Sequence, residues 1–465
     1  MLNGNLEAFK EMMKGKKVAV LGIGISNIPA LKFLSDCGAL ITACDRKPEN
    51  KMEPDAMEAI KDNCDKWYLG EDYLDHLDGQ DIVLKAPGIN PSLPQIVSAR
   101  ESGCEITSEM EIFMALCPCK MIAVTGSDGK TTTTTLIYNI LTEEGYKCYK
   151  GGNIGTPLLD RVGEMRSDEI VVLELSSFQL MNMRVSPHVA VITNLSPNHL
   201  DYHKDMSEYV DAKAQIFKNQ TKADKLIINK DNTITASFEG KQPGSVELFS
   251  RKYSDTAAYL EDNYLCYKGR RYVHVDDIRI KGWHNVENYL AAIAATADLV
   301  AVESVEKVAK NFSGVEHRME YVRTLDGVDF YNDSIASSPT RTIAGLVAQN
   351  ADVVLIAGGK DKNLDYDELG RVIREKVKVL VLIGATSDKI EASVIKAFGG
   401  NTPSVAISKE TTYENAVKSA FVLAKGLKKD DNKVSVILSS ASTSFDMFKN
   451  FEERGKCYKK LVNEL

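Results

Sequence analysis

The chain has 465 residues, of which 44% are apolar and 26% charged, and a formal net charge of −8, the composition of a globular protein of about three domains. The acidic balance argues against a nucleic-acid surface, and no apolar run is long enough to span a bilayer. The nine cysteines show no paired framework, and the N-terminus has neither a basic nor an apolar signal region. Together these point to reduced thiols in a cytoplasmic protein, and Cys117-x-Cys119, the one close pair, reads as structural rather than metal-binding.

The first segment, 1–110, opens with a strand and glycine turn, Lys17-Val-Ala-Val-Leu-Gly22-Ile-Gly24-Ile-Ser-Asn27, followed by the helix face Ala30, Leu31, Phe33 and Leu34. A second strand, Leu40–Cys44, ends on Asp45-Arg46-Lys47, and a third, from Asp81, stops at Pro87-Gly88. This alternation predicts a doubly wound, Rossmann-like domain. Its turn is close to a dinucleotide fingerprint with Asp45 about twenty residues on, but Asn27 stands where the third glycine belongs. Three readings stay open for it: a dehydrogenase site, a site for a nucleotide diphosphate, or a tight turn that binds nothing.

The second segment, 111–314, contains the most informative stretch, Val124-Thr-Gly126-Ser127-Asp128-Gly129-Lys130-Thr131-Thr132. The apolar run Met121–Val124 precedes it as a buried strand, and Leu136–Leu141 follows with helical spacing. Strand, glycine turn and helix start form a phosphate cradle, in which backbone N–H groups and the helix dipole face the anion. Lys130 reaches the outer phosphates and the Thr131 hydroxyl takes a place on Mg²⁺. The first glycine of the usual P-loop pattern would fall at Val124, so the surrounding strand and helix carry the assignment. The strands Ile170–Leu175 and Val189–Thr193 come next, and a helical stretch from about Asn288 to Val300 closes the segment. Glu174 lies in an otherwise apolar strand, where a carboxylate needs a partner or a metal. His199, in Asn194-Leu-Ser-Pro-Asn-His199, reads either as a metal ligand or as a solvated loop histidine. Lys213, by residue physics alone, reads as an ordinary helix lysine.

The third segment, 315–465, is expected to be a second Rossmann-like domain, with strands Val328–Asn332, Val353–Ala357, Val379–Ile383 and Val434–Leu438. Polar groups gather at strand ends, where open α/β sheets bind ligands: Glu316-His317-Arg318, Asn332-Asp333-Ser334, Gly358-Gly-Lys-Asp-Lys362 and the run from Ser439 to Phe451. Arg318 suits a phosphate and Asp333 a ribose.

These motifs, in this order and over essentially the whole chain, resemble those of the Mur ligases of bacterial cell-wall synthesis. Gly151-Gly-Asn153-Ile-Gly155, Leu173-Glu-Leu-Ser-Ser-Phe-Gln-Leu180, His284-Asn285-Val-Glu-Asn288 and Ser444-Phe-Asp-Met-Phe-Lys-Asn-Phe451-Glu-Glu-Arg-Gly455 add to the likeness, and two of them point to the D-glutamate-adding branch. The resemblance implies three domains, with a P-loop ATPase-like central one built on a mainly parallel sheet. It also implies an ATP-dependent ligase for peptidoglycan synthesis that couples UDP-N-acetylmuramoyl-L-alanine to D-glutamate through an acyl phosphate. Two Mg²⁺ ions are implied, held by Thr131, Glu174, His199 and a carbamylated Lys213, with Lys130, Glu174, His199 and Lys213 catalytic. Gly126 to Thr132, Asn285, Asn288, Arg318 and Asp333 fall on the ATP side. Gly22, Asp45, Arg46, Gly88 and Asn153 fall on the UDP side, and Lys362, Ser444 and Phe451 where D-glutamate is received. A monomer with small-molecule partners and no membrane is expected.

Three departures stand out. Members of the family often carry lysine where Asn332-Asp-Ser-Ile335-Ala-Ser337 has Ile335, so a charged contact is either missing or supplied elsewhere. The run Ser439–Ser444 also differs from the usual pattern, and in Gly358-Gly-Lys360-Asp-Lys362 the register favours Lys362 over Lys360 as the amino-acid contact. The rival readings are a Mur-type ligase for another amino acid, a nicotinamide-dependent dehydrogenase, and a regulator that kept the scaffold and lost the chemistry.

Overall fold

The computed structural model describes residues 5–465 other than 197–202, 348, 362–363 and 430–431. The chain forms two compact units, 1–312 and 313–465.

The first unit holds two sheets. A five-stranded parallel sheet runs in the order Lys66–Leu69, Leu40–Asp45, Lys17–Leu21, Ile82–Lys85, Glu105–Thr107. Its inner strands are buried along nearly their whole length, as parallel strands covered by helices on both faces must be. The strand order reverses between Lys17–Leu21 and Ile82–Lys85, which makes their carboxyl ends the ligand-binding crevice of such a sheet.

The second sheet has nine strands, in the order Arg270–His274, Tyr264–Tyr267, Ala258–Glu261, Ser245–Ser250, Lys225–Asn229, Val189–Ile192, Lys120–Thr125, Ile170–Glu174, Cys148–Gly152. All neighbours are parallel except the last meander, whose two tight turns use positive φ at Asp262, Asn263, Lys268 and Gly269. The two sheets share one hydrophobic core, in which Val18, Leu31 and Leu84 pack in a single cluster with Phe113, Ala123 and Leu173.

The second unit is a six-stranded sheet: Glu320–Leu325, Val328–Asn332, Val434–Leu438, Asp352–Ala357, Val377–Ile383, Ala406–Glu410. Only the first pair is antiparallel, joined by the Asp326-Gly327 hairpin. The fold class is therefore the expected α/β class with mainly parallel sheets. The edge strands Lys66–Leu69 and Ala406–Glu410 had no clear apolar signature, because an edge strand keeps part of its surface in water. Among the described residues no helix is long and apolar enough to cross a membrane.

Candidate active site

The strand Lys120–Thr125 runs between Val189–Ile192 and Ile170–Glu174 in the nine-stranded sheet and delivers the chain into the glycine turn. Gly126 (φ 148) and Gly129 (φ 77) adopt backbone angles that side-chain-bearing residues avoid. A Cβ on Gly126 would collide with the Thr193 hydroxyl, and one on Gly129 with the Asn288 amide oxygen. Gly129 caps the helix Lys130–Glu144, whose first turn holds the buried Thr131. The turn is braced from the neighbouring strand end: Asp128 N–H donates to Asn194 Oδ1 at 3.1 Å, and Asn194 Nδ2 donates to Asp128 O at 3.1 Å. Ser127 shares a 2.9 Å hydrogen bond with the Tyr209 hydroxyl. Lys130 Nζ folds over the loop and donates to Gly126 O at 3.0 Å and Ser127 O at 2.9 Å. An anion entering the turn offers those donors a charged acceptor in place of two carbonyls.

Lys213 is the buried cation of this region, with 2% of its surface exposed. It lies on the helix Met206–Lys218, started by Asp205 accepting the Glu208 N–H at 2.9 Å. The reading of Lys213 as an ordinary helix lysine is corrected by the structure. Tyr209, Ala212, Ile216 and Phe217 are all buried, and this 3.6-residue spacing puts position 213 on the inward stripe. Lys213 Nζ has one hydrogen bond among the described residues, to Thr125 Oγ1 at 3.0 Å, and lies 5.5 Å from the Tyr209 ring centroid. Burial holds it well below the usual lysine range, the Lys130 charge adds to that, and Glu174 opposes it. The free amine is favoured there, which suits a nucleophile more than a salt-bridge donor.

Glu174, 1% exposed, ends the strand Ile170–Glu174 between Val124 and Gly152. Its Oε1 accepts from Asn153 Nδ2 at 2.7 Å, while its Oε2 is buried with no hydrogen-bond partner among the described residues. An orphaned carboxylate oxygen beside a phosphate cradle fits a hard divalent cation. The next residues, Ser176 to Gln179, form a capping box that starts the short helix Ser177–Leu180.

In the five-stranded sheet, Gly22 (φ 79) sits at the reversal point, where a Cβ would press on Ala86. Asp45 Oδ2 accepts the Ile23 N–H at 2.7 Å and its Oδ1 the Lys47 N–H at 2.8 Å, so this carboxylate shapes the turn itself. Asn27 is buried and donates to Gly22 O at 2.8 Å, tying down the turn from the position of the missing third glycine. Arg46 and Gly88 are exposed at neighbouring strand ends.

In the C-terminal unit the carboxyl ends of the strands converge on Asp333, which is 4% exposed. Its Oδ1 accepts the Met319 N–H at 3.2 Å and its Oδ2 the Ser439 hydroxyl at 2.8 Å. Burial pushes its carboxyl up to about 6, against the pull of these two donors and of the Arg318 and Arg341 charges. The serine run forms an internal hydroxyl network: Ser439 with Thr342 at 2.9 Å, and Ser442 with Tyr366 at 2.9 Å and Thr386 at 2.8 Å. Arg454, 1% exposed, donates to Ser334 O, Ser334 Oγ and Ser442 O and so ties the two loops together. Ser444 is buried, and the Phe451 carbonyl accepts from the Ser334 hydroxyl at 2.7 Å.

A family model of the Mur ligase middle domain matches residues 124–296, one of the MurD-like N-terminal domain of Mur ligases matches 16–108, and one of the Mur ligase glutamate ligase domain matches 317–440. The chain belongs to the Mur ligase family. This Mur ligase is 52% identical to the UDP-N-acetylmuramoylalanine–D-glutamate ligase of Acetivibrio thermocellus over all of both chains. It is 49% identical to the enzyme of the same name from Clostridium acetobutylicum, over 98% of each. The fold is shared with the UDP-N-acetylmuramate–alanine ligase MurC of Thermotoga maritima (TM-score 0.55, 19% identity, 96% of this chain and 99% of that one). It is shared also with MurF of Acinetobacter baumannii (TM-score 0.55, 19% identity, 84% and 92%).

Within this Mur ligase the structure brings Lys130, Lys213 and Glu174 into one electrostatic neighbourhood. Asn288 lies against the same loop, accepting the Thr133 hydroxyl at 3.2 Å and donating to Asn285 Oδ1 at 3.2 Å. Asn153 spends its amide on Glu174. His199 and Lys362 lie outside the described residues, and Lys360 is exposed, its N–H donating to Thr443 O. Sequence reasoning missed Thr125, Tyr209, Arg341 and Arg454. The first two had a signal, as the last strand residue before the loop and the i−4 neighbour of Lys213. Arg454 stands within a motif of the resemblance, but its burial had no signal, since a buried arginine and a surface one look alike in a helical pattern.

Proposed function

We infer that the chain joins D-glutamate to UDP-N-acetylmuramoyl-L-alanine with ATP, releasing ADP and phosphate, in peptidoglycan precursor synthesis. The observation that carries the chemistry is the buried Lys213 amine, on which the charges of the phosphate-loop Lys130 and of Glu174 both act. The nucleotide-sugar and amino-acid substrates rest on relatives similar along their full length.

In this reading the substrate carboxylate oxygen attacks the γ-phosphorus of ATP and the bond to ADP breaks. The D-glutamate amine then attacks the acyl carbon, loses a proton, and phosphate leaves. Lys130 and the loop N–H groups hold the phosphoryl oxygens as charge moves between them, and positioning supplies much of the remainder. The Lys213 amine, kept neutral by burial, adds to carbon dioxide and loses a proton, giving an anionic carbamate in place of the neutral amine. Thr131, the orphaned Glu174 oxygen, the Lys213 carbamate and His199 are the groups that would hold Mg²⁺. When bound, the metal neutralises phosphoryl charge.

The division of labour follows the sheets: 1–110 for the uridine nucleotide through Gly22, Asp45, Arg46, Gly88 and Asn153, 111–314 for ATP, with Asn285 and Asn288 on the adenine side, and 315–465 for D-glutamate through Lys362, Ser444 and Phe451. Arg318 and Asp333 serve the phosphates and ribose of ATP. The test is phosphate release from ATP with UDP-N-acetylmuramoyl-L-alanine, comparing D-glutamate with L-glutamate, L-lysine and meso-diaminopimelate. Release that requires D-glutamate is expected. Release with another amino acid moves the chain to a sister activity, and no release with any of them overturns the reading.

A further inference from the structure

The helix Pro339–Val347 lies along one side of Asp333. Thr342 shares a hydrogen bond with Ser439, the residue that donates to Asp333, and it accepts the Ala441 N–H at 3.1 Å. At Gly345, a Cβ would stand 3.2 Å from Asp333 Oδ2 and 3.3 Å from Met319 Sδ. Arg341 is four residues before Gly345 and therefore on the same helix face, one turn nearer the loop that carries Ser334 and Ile335. Its Nη1 donates to Ile335 O at 3.3 Å, which fixes the stem and leaves most of the fork unspent.

The charge of Arg318 acts on the same carboxylate, and its segment has strained residues on both flanks: His317 (φ 65) and Met319 (φ 41). Ala441 (φ 54) is the third such residue here. The other non-glycine residues with positive φ among those described lie in hairpin turns. Strain gathered around one polar cluster marks a geometry held for a ligand. The two arginine charges act on each other and on Asp333. Asp333, however, has both oxygens engaged by Met319 and Ser439, and among the described residues neither guanidinium has an ion pair with it. Both arginines are solvent-exposed and form no ion pair with Asp333 among the described residues, so their planar forks are open to an incoming phosphoryl group.

We propose that Arg341 is a second phosphate-binding residue, which with Arg318 clamps the phosphoryl oxygens of the nucleotide and supplies the cationic contact that Ile335 cannot. The proposal rests on the ATP-using reading above. It is tested on the full chain with R341Q, R341K and R318A, by calorimetric titration with ATP, ADP and adenosine and by steady-state kinetics. R341Q is expected to weaken ATP binding about tenfold, the value of one lost charge-assisted contact. The loss should be smaller for ADP and absent for adenosine, the KM for D-glutamate should be unchanged, and R341K should recover part of the affinity. Unchanged ATP binding overturns the proposal. So does an equal loss for ATP and adenosine, which a merely structural role gives, or a change confined to the KM for D-glutamate. If R341Q does not fold, R341K decides between the outcomes, since it keeps the charge and loses the fork. A wild-type chain that binds ATP but releases no phosphate defeats the ligase reading, while the ATP-to-adenosine series still judges Arg341.

Discussion

Lys213 in the nine-stranded half and Asp333 in the C-terminal unit are both pushed toward their neutral forms by burial, yet they are provided for differently. Among the described residues Lys213 has one hydroxyl acceptor, and the like charge of Lys130 acts on it more strongly than the opposing Glu174, so its environment offers little to a cation. Asp333 has two donors and two nearby guanidiniums, and its shift is correspondingly modest. Burial alone therefore does not distinguish a reactive group from a binding group. The count and sign of partners does: the under-partnered amine suits covalent modification, and the well-partnered carboxyl suits holding a ligand hydroxyl in a fixed place.

The largest effect is expected at the amine. K213A should lower turnover about 10³-fold, with partial recovery in a high concentration of a short-chain carboxylic acid that replaces the proposed carbamate. Full turnover of the plain mutant in a phosphate-release assay would break the comparison outright.

At Asp333 the expected effect is on stability and its pH dependence. The carboxyl binds its proton more tightly in the fold, at about 6 against an ordinary 3.8, so its contribution to stability is fully present below about pH 4 and is lost as the pH rises through 6. The difference is about 3 kcal/mol. D333N should remove that slope, and urea midpoints at pH 4.5 and 7 for the two proteins would check it. Parallel behaviour of mutant and wild type would mean that Asp333 is ionised throughout.

Two smaller tests sharpen the picture on the Lys213 side. N153A takes the one hydrogen bond from Glu174 and leaves both carboxylate oxygens unpaired, which should destabilise the chain by about 1–3 kcal/mol in urea. G129A forces a Cβ into left-handed backbone and against Asn288, and about 1–2 kcal/mol is expected. A thermal midpoint unchanged from wild type would show that the loop relaxes around the methyl group.

How much of this was legible depended on whether the information was contiguous. The phosphate loop was, because strand, glycines, Lys130 and Thr131 follow one another and the cradle is formed by local backbone. The apolar central strands were too, from Met121–Val124 to Val434–Leu438. Lys213 was legible in principle, since Tyr209, Ala212, Ile216 and Phe217 mark its helix face, but a charge at a buried position argues against burial until a reason for it is known. The surroundings of Asp333 were not legible. Met319, Thr342, Ser439 and Arg454 are far apart in the chain and meet only where parallel strands end together.

The sequence by itself determined the α/β class, the phosphate cradle and the strand ends on which chemistry would fall, because period, glycine placement and capping act within a few residues. Only the tertiary structure decided that the Lys213 amine is buried near Lys130 and Glu174, that Asn27 and Asp45 tie the first glycine turn, and that Arg341 stands beside Asp333. Each of these depends on desolvation or on a partner distant in the chain, and those are properties of packing.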